Sequence, residues 1–139
     1  MRYLLDVNLL VAWGWADHAD HARAASWIAR SRRKRGTVLF TSAIPQLGFV
    51  RVTVQRTSGR VSPTEAGQTL SGMLGTLGSV HRFLPDDEAA VAWPEWCRGA
   101  GQTTDAHLLR LAESHQAILA TLDTGIPGAL IIPDTVDAD

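Results

Sequence analysis

The sequence lacks the features of a secreted protein, a membrane-bound protein or a protein stabilised by structural zinc. Its single cysteine, Cys97, has no partner for an internal disulfide, and no Cys/His spacing suits zinc. Long apolar runs are also missing: none approaches the roughly 18 residues of a membrane span, and the first run stops at Asp6, too early for a signal peptide. We therefore expect a cytoplasmic protein that does not enter the membrane.

An excess of charge of one sign is missing as well. The chain has 13 Lys and Arg against 14 Asp and Glu, for a net charge of −1. Such a balance neither indicates nor excludes a nucleic-acid partner. With 139 residues and 45% apolar content, the chain can bury roughly 68–70% of its unfolded surface, enough for one self-sufficient domain. We expect this domain to span residues 1–135 and to be followed by a flexible acidic tail at 136–139.

Short strand-like runs alternate with helical patterns along the whole chain. The strand-like runs cover residues 2–5, 37–40, 80–84, 117–122 and 129–132. The helical patterns cover residues 7–15, 18–33, 43–55, 62 to about 75–78, a segment bent around Pro94, and 105–115. This alternation predicts an α/β fold, with a single, mostly parallel central sheet covered by helices and connected by right-handed crossovers.

Local capping patterns support several helix starts. Ser62 and Glu65 have the spacing of a capping box, and Pro63 stands at the first helical position, where its missing N–H costs nothing. The other predicted caps are Thr41 or Ser42 for the third helix and Thr103 or Thr104 for the last one.

Three aspartates stand where apolar runs give way to a turn or helix: Asp6, Asp105 and Asp123. Because the carboxyl ends of parallel strands share one edge of a sheet, these acids can converge on one crevice. Carboxylate oxygens are the ligands that Mg²⁺ and Mn²⁺ take for phosphodiester hydrolysis. The pattern predicts a divalent-cation site, although Asp105 taken alone is more typical of an ordinary first-turn acid of a helix.

Five segments, in order and spacing, resemble the PIN-domain ribonucleases, and in particular the VapC toxins of toxin–antitoxin pairs. They are LDVNLLVA at 5–12, DHADHARAASW at 17–27, LGFVRV at 47–52, TDAHL at 104–108 and ATLD at 120–123. The resemblance implies a PIN-like fold and an Mg²⁺-dependent endoribonuclease that also accepts Mn²⁺. It further implies a homodimer, an RNA substrate such as transfer or ribosomal RNA, and inhibition by a VapB-type antitoxin.

The same resemblance assigns roles to individual residues. It makes Asp6, Asp105 and Asp123 the catalytic, metal-binding acids and gives them supporting neighbours, namely Asn8, Thr104 and Thr121. Thr121 has independent support, because residues two apart on a strand face the same side and Asp123 follows it by two. Arg51 would contact the substrate by the family pattern, with a structural salt bridge as the alternative.

Gln46 departs from this pattern, because such toxins commonly have a glutamate at that place. A glutamine offers a carbonyl oxygen but no charge, so we expect weaker metal binding. Alternatively Gln46 orients a metal-bound water or is an ordinary helix amide. A further alternative is that the substitution leaves a catalytically weakened module that binds RNA or antitoxin.

A different enzyme class opens similarly. Haloacid-dehalogenase-like phosphatases place an aspartate nucleophile after their first strand, as at Asp6. In this chain, however, Asn8 stands where their second acid would be, and Lys34 is the only lysine. A phosphatase is therefore the less favoured alternative.

Three further groups have a structural and a functional interpretation. The five cations Arg30 and Arg32–Arg35 either remain solvated at a helix end or contact RNA phosphates. His18 and His21 could pair on a metal, but without a third imidazole nearby capping or surface roles are favoured. Trp13, Trp15 and Trp27 are expected in the core, or in an antitoxin groove where exposed.

Overall fold

The computed structural model describes residues 1–134 of the chain. The predicted acidic tail at 136–139 and the predicted domain end at 135 lie outside the described residues. Within them, no helix is both long enough and apolar enough to cross a membrane.

A five-stranded sheet forms the centre of the molecule. Its strands are β1 (Arg2–Leu5), β2 (Val38–Thr41), β3 (His81–Phe83), β4 (Ile118–Thr121) and β5 (Leu130–Ile131). They lie in the order β3-β2-β1-β4-β5, and every pairing is parallel. The predicted α/β fold with a parallel, helix-covered sheet is confirmed.

Within residues 1–134, five helices connect and cover the strands. They are α1 (Val7–Gly14), α2 (His21–Ser31), α3 (Ala43–Arg56), α4 (Pro63–Gly75) and α5 (Thr103–Ser114), with short 3-10 turns at Gly78–Val80 and Ala100–Gln102. The predicted capping box is present: Ser62 Oγ accepts from the Glu65 N–H, and the Glu65 carboxylate accepts from the Ser62 N–H.

Successive residues of β1, β2 and β4 point into two separate cores, as the period of a strand requires. Leu5 and Leu39 pack with α1–α4 residues such as Phe49 and Trp27 on one face of the sheet. Leu4 joins α5 residues on the other face, in a cluster that also contains Phe40, Leu108, Leu111 and Leu119. The prediction that Trp27 is a core residue is confirmed, whereas Trp13 and Trp15 are partly buried at the margin of the first core.

Helices α1 and α3 approach each other closely at Gly48. A Cβ atom at this position would lie 2.6 Å from Val7 Cγ2, so only glycine allows the contact. Val7 directly follows Asp6, and Gly48 lies one helical turn before Arg51. The close approach therefore places the start of α1 against the part of α3 that carries Arg51.

The prediction of a helical segment between β3 and α5 is wrong. The segment around Pro94 is not a bent helix: residues 84–99 form an irregular loop. Its polar groups bond elsewhere, since Asp86 accepts from the Glu88 N–H and pairs with His107 of α5 at 2.7 Å. Pro94 also has no N–H to give a helix.

The predicted caps of α3 and α5 also differ. Ser42 is at the N-cap of α3, but its hydroxyl donates to the Leu84 carbonyl instead of capping the helix. Gln102 is the N-cap of α5, and Thr103 is already helical, with its hydroxyl donating to the Ala100 carbonyl.

Candidate metal centre

The crevice beside Asp6 lies where the strand order reverses. The chain moves from β1 outward to β2 and β3, then returns to place β4 on the other side of β1. In open parallel sheets, ligands bind outside the carboxyl ends of the strands at this point. Asp6 follows β1, and its backbone N–H donates to the Ala120 carbonyl of β4 at 3.0 Å. Asp6 and the end of β4 are thus held side by side.

Asp6 is buried, with 4% of its surface exposed. Its Oδ1 accepts from the Val7 N–H at 2.7 Å, and its Oδ2 accepts from the Thr121 hydroxyl at 2.7 Å. Burial raises the pKa of Asp6, and the nearby charge of Asp123 adds to the rise; the two hydrogen bonds oppose it without outweighing it. The carboxylate is oriented firmly while its charge remains poorly compensated.

Thr121 and Asn8 form the support beneath Asp6. Because the Thr121 proton goes to Asp6, its oxygen accepts from Asn8 Nδ2 at 3.1 Å and from the Asp123 N–H at 3.0 Å. Asn8 Oδ1 accepts in turn from the Leu122 N–H at 3.0 Å. The structure thus brings Thr121 into contact with Asp6, and Asn8 into contact with Thr121.

Asp105 lies in the first turn of α5 and makes no hydrogen bond or ion pair with residues 1–134. The alternative in which it caps the helix is therefore not found in this part of the chain. Burial raises the pKa of Asp105 to about 6, and the charges of Asp6 and Asp123 add to that rise. The N-terminus of a helix favours the ionised form of a carboxyl and so lowers its pKa. At Asp105 the effects of burial and of the two neighbouring acids are larger than this effect.

Asp123 is the exposed member of the three. Its Oδ1 accepts from the Gly125 N–H at 2.8 Å, which orients it in a tight turn after β4. No three His, Cys, Asp or Glu side chains within residues 1–134 are arranged to hold a metal ion as they stand. Asp123 nonetheless raises the pKa of Asp6 and of Asp105, and Asp6 raises the pKa of Asp105. The hard oxygen donors and the shared negative charge of the three carboxylates therefore suit a divalent cation.

A cavity of about 370 Å³ opens beside these acids. Asp6, Asp105, Asn8 and Thr104 line it, and so does Arg51. The structural salt bridge offered as an alternative for Arg51 is absent among residues 1–134, where its exposed guanidinium has no ion-pair or hydrogen-bond partner.

The two histidines weighed above as a metal pair have different environments in the structure. His21 Nδ1 donates to the Ala12 carbonyl at 2.9 Å, whereas His18 lines the acidic cavity. No pattern in the sequence predicts this position of His18, because the turn after α1 that carries it has no periodicity.

Gln46 contacts neither Asp6 nor the other two aspartates through a hydrogen bond. Its amide Nε2 donates to Thr41 Oγ1 at 3.0 Å, and Thr41 Oγ1 also bonds with His81 Nε2 at 2.7 Å. Gln46 lines a separate cavity of about 770 Å³ between α3, α4 and β3. Its hydrogen bond fits the interpretation as a helix amide, and a part in metal binding stays a prediction.

Comparisons with known proteins agree with this architecture. The PIN domain family model matches residues 3–129. The chain is 38% identical over 127 residues to Ribonuclease VapC38 and 37% identical over 142 residues to Ribonuclease VapC29, both of Mycobacterium tuberculosis. The first alignment covers 88% of this chain and 86% of the relative, and the second 97% and 99%.

A solved structure shows a similar fold. PAE2754 from Pyrobaculum aerophilum superposes with a TM-score of 0.53 at 20% identity, covering 95% of this chain and 90% of that one. This likeness shows a shared fold. The sequence matches identify the chain as a member of the PIN-domain family, in the group of the VapC ribonucleases.

Proposed function

We propose that this protein is a metal-dependent endoribonuclease that acts as the toxin of a VapBC-type pair. The main support is Asp105, a partly buried carboxylate with no hydrogen-bond or ion-pair partner among residues 1–134 and a pKa raised to about 6. A carboxyl group with a raised pKa, with no partner for its charge and with two other acids nearby is a strong candidate for a functional site. The ribonuclease names of the relatives supply the substrate class.

In this proposal Asp6, Asp105 and Asp123 hold Mg²⁺, for which Mn²⁺ can substitute. When bound, the cation neutralises non-bridging phosphate oxygens and lowers the pKa of an attacking water. Thr121 orients Asp6 through its 2.7 Å hydrogen bond, and Asn8 orients Thr121. Such supporting contacts hold ligand carboxylates in place.

The remaining lining residues fit an RNA substrate. Arg51 is exposed at the cavity and can pair with a phosphate, for which a guanidinium is well shaped. Thr104, exposed next to Asp105, adds a hydroxyl. Residues Arg32–Arg35 are exposed after α2, so they are available for phosphate contacts beyond the cavity. These features do not select one RNA over another.

The alternative of a catalytically weakened binding module depends on Gln46. We expect a Gln46→Glu variant to require less Mg²⁺ if this position belongs to the metal site. An unchanged or greater Mg²⁺ requirement would instead leave Gln46 as the helix amide that its bond to Thr41 suggests. The phosphatase alternative finds no support at Asn8, whose amide is engaged by Thr121 and Leu122.

Cleavage of a mixed RNA pool tests the proposed activity. The unmodified chain should cut RNA in Mn²⁺, whereas Asp6→Asn and the unmodified chain in EDTA should not. Identical products under all three conditions would indicate a contaminating nuclease and contradict the proposal. Hydrolysis of a small phosphomonoester without RNA cutting would favour the phosphatase.

The proposal includes an antitoxin and a cytoplasmic location. A VapB-type antitoxin would place its tail in the acidic cavity, with a basic side chain where the cation otherwise binds. Asp6 and Asp105 supply the complementary charge there. Addition of the cognate antitoxin in equimolar amount should abolish RNA cleavage.

A homodimer is also part of the proposal, and we place a second copy of this chain on the α3–α4 face. Leu47 and Phe83 are 63% and 49% exposed beside the mostly apolar 770 Å³ cavity. Exposed apolar surface of this kind usually marks an interaction site. Leu47→Glu should shift the chain from dimer to monomer in sedimentation velocity, and an unchanged dimer would exclude this face.

A further inference from the structure

His18 shares the acidic cavity with Asp6, Asp105 and Arg51. It stands in the turn after α1, where its backbone N–H donates to the Trp15 carbonyl at 3.0 Å. Its ring is oriented as well, since Nδ1 accepts from the Asp20 N–H at 3.0 Å. Both backbone and side chain are therefore held in place.

The bond to Asp20 determines which ring nitrogen can donate. Because Nδ1 accepts a hydrogen bond, the proton of the neutral imidazole lies on Nε2. No residue in the range 1–134 bonds to Nε2, and it is not a buried unsatisfied atom. His18 thus presents an unused, water-accessible N–H donor.

The cavity combines two kinds of group that a phosphodiester needs. Carboxylates alone repel a phosphate. A cation bound to them attracts the phosphate oxygens that face it, but the oxygens on the other side still need hydrogen-bond donors. Arg51 and His18 supply the donors: neither the guanidinium nor Nε2 has a partner within the described chain. The same cavity therefore offers acids for a metal and N–H groups for phosphate oxygens.

We infer that His18 is an RNA-binding residue of this site, donating from Nε2 to a phosphate oxygen of the bound strand. The inference rests on the proposed ribonuclease function and adds to it a residue outside the acidic set. It concerns the N–H donor and not a change of charge on the ring.

Two substitutions separate the donor from the structural role of the ring. In His18→Asn, the side-chain oxygen can still accept from the Asp20 N–H, as in an Asx turn, but no donor reaches the Nε2 position. In His18→Gln, the longer amide restores a donor near that position. A hydrogen bond to a charged oxygen is worth enough that its loss should weaken RNA binding about tenfold.

The experiment measures fluorescence anisotropy of a labelled single-stranded RNA oligonucleotide of mixed sequence in Ca²⁺, a hard cation that carboxylates hold, with gel analysis confirming that the RNA stays intact. His18→Asn should bind about tenfold more weakly, with an unchanged thermal unfolding midpoint, and His18→Gln should bind nearly as well as the unmodified chain. His115→Gln is the matched control, because His115 pairs with Asp87 and does not line the cavity.

The possible results separate this inference from the proposed function. If His18→Asn binds RNA as tightly as the unmodified chain, or if both His18 variants weaken binding equally, the inference is overturned while the nuclease proposal stands. If the unmodified chain neither binds nor cleaves RNA, both fall.

Discussion

Replacing Asp105 by asparagine should stabilise the metal-free protein at neutral pH. In the folded chain this carboxyl is buried in part and faces the charges of Asp6 and Asp123, which disfavour its ionised form. An amide of the same shape removes the charge while leaving the packing of α5 intact. The substitution would abolish a metal ligand, so stability should rise as activity is lost.

The pKa difference sets the size of the effect. The pKa of Asp105 is about 6 in the folded chain against an ordinary 3.8, which corresponds to at most about 3 kcal/mol. Because the side chain is partly exposed, solvent screening reduces this to about 1–2 kcal/mol. A raised pKa means that the folded state holds the proton more tightly. The destabilisation of the folded state by ionised Asp105 is therefore complete above pH 6 and disappears as the pH falls below 3.8.

Urea unfolding in EDTA checks this prediction. At about pH 7.5, Asp105→Asn should unfold at higher urea than the unmodified chain, and at about pH 4.5 the gain should shrink to about a third. Glu95→Gln is the control, since it removes one exposed carboxylate that does not line the cavity. A variant no more stable than the unmodified chain at pH 7.5, or an equal gain at both pH values, would refute the reasoning.

Two further predictions concern the support of the site. Thr121→Val should lower the free energy of unfolding by about 1–3 kcal/mol, because the fully buried hydroxyl donates to Asp6 and accepts from neighbouring N–H groups. An unchanged urea midpoint would contradict this prediction. Gly48→Ala should cost about 1–3 kcal/mol through its clash with Val7. Gly72 lies inside α4 with open space around it, so Gly72→Ala should instead raise the free energy of unfolding by about 0.5–1 kcal/mol. A loss of stability in both glycine variants would show that the clash with Val7 is not the cause.

The sequence was sufficient for features with a local cause. The capping box at Ser62 needs only residues within one helical turn, and it formed as predicted. The alternation of strands and helices likewise predicted the parallel sheet. The convergence of Asp6 and Asp123 followed from the rule that strand ends share an edge, and each raises the pKa of Asp105.

Features that depend on distant partners or on an irregular turn could not be predicted. The loop at residues 84–99 has an acidic start that resembles a helix N-terminus, but Asp86 pairs with His107 across the fold. Ser42 donates to Leu84, 42 residues away, instead of capping α3. His18 reaches the acidic cavity through a turn held by backbone bonds to Trp15 and Asp20. In the first two cases the hydrogen-bond partner is far along the chain. In the third, the turn that carries His18 has no periodic pattern.

The most direct test of the account is calorimetric titration of the RNA-free protein with Mn²⁺. The unmodified chain should bind Mn²⁺ at neutral pH, and Asp6→Asn and Asp123→Asn should each lose most of that binding while remaining folded. Affinity should also fall as the pH drops through about 6, because Asp105 must release its proton to bind the ion. Mn²⁺ binding that is equal in all three proteins would contradict a metal centre at these aspartates.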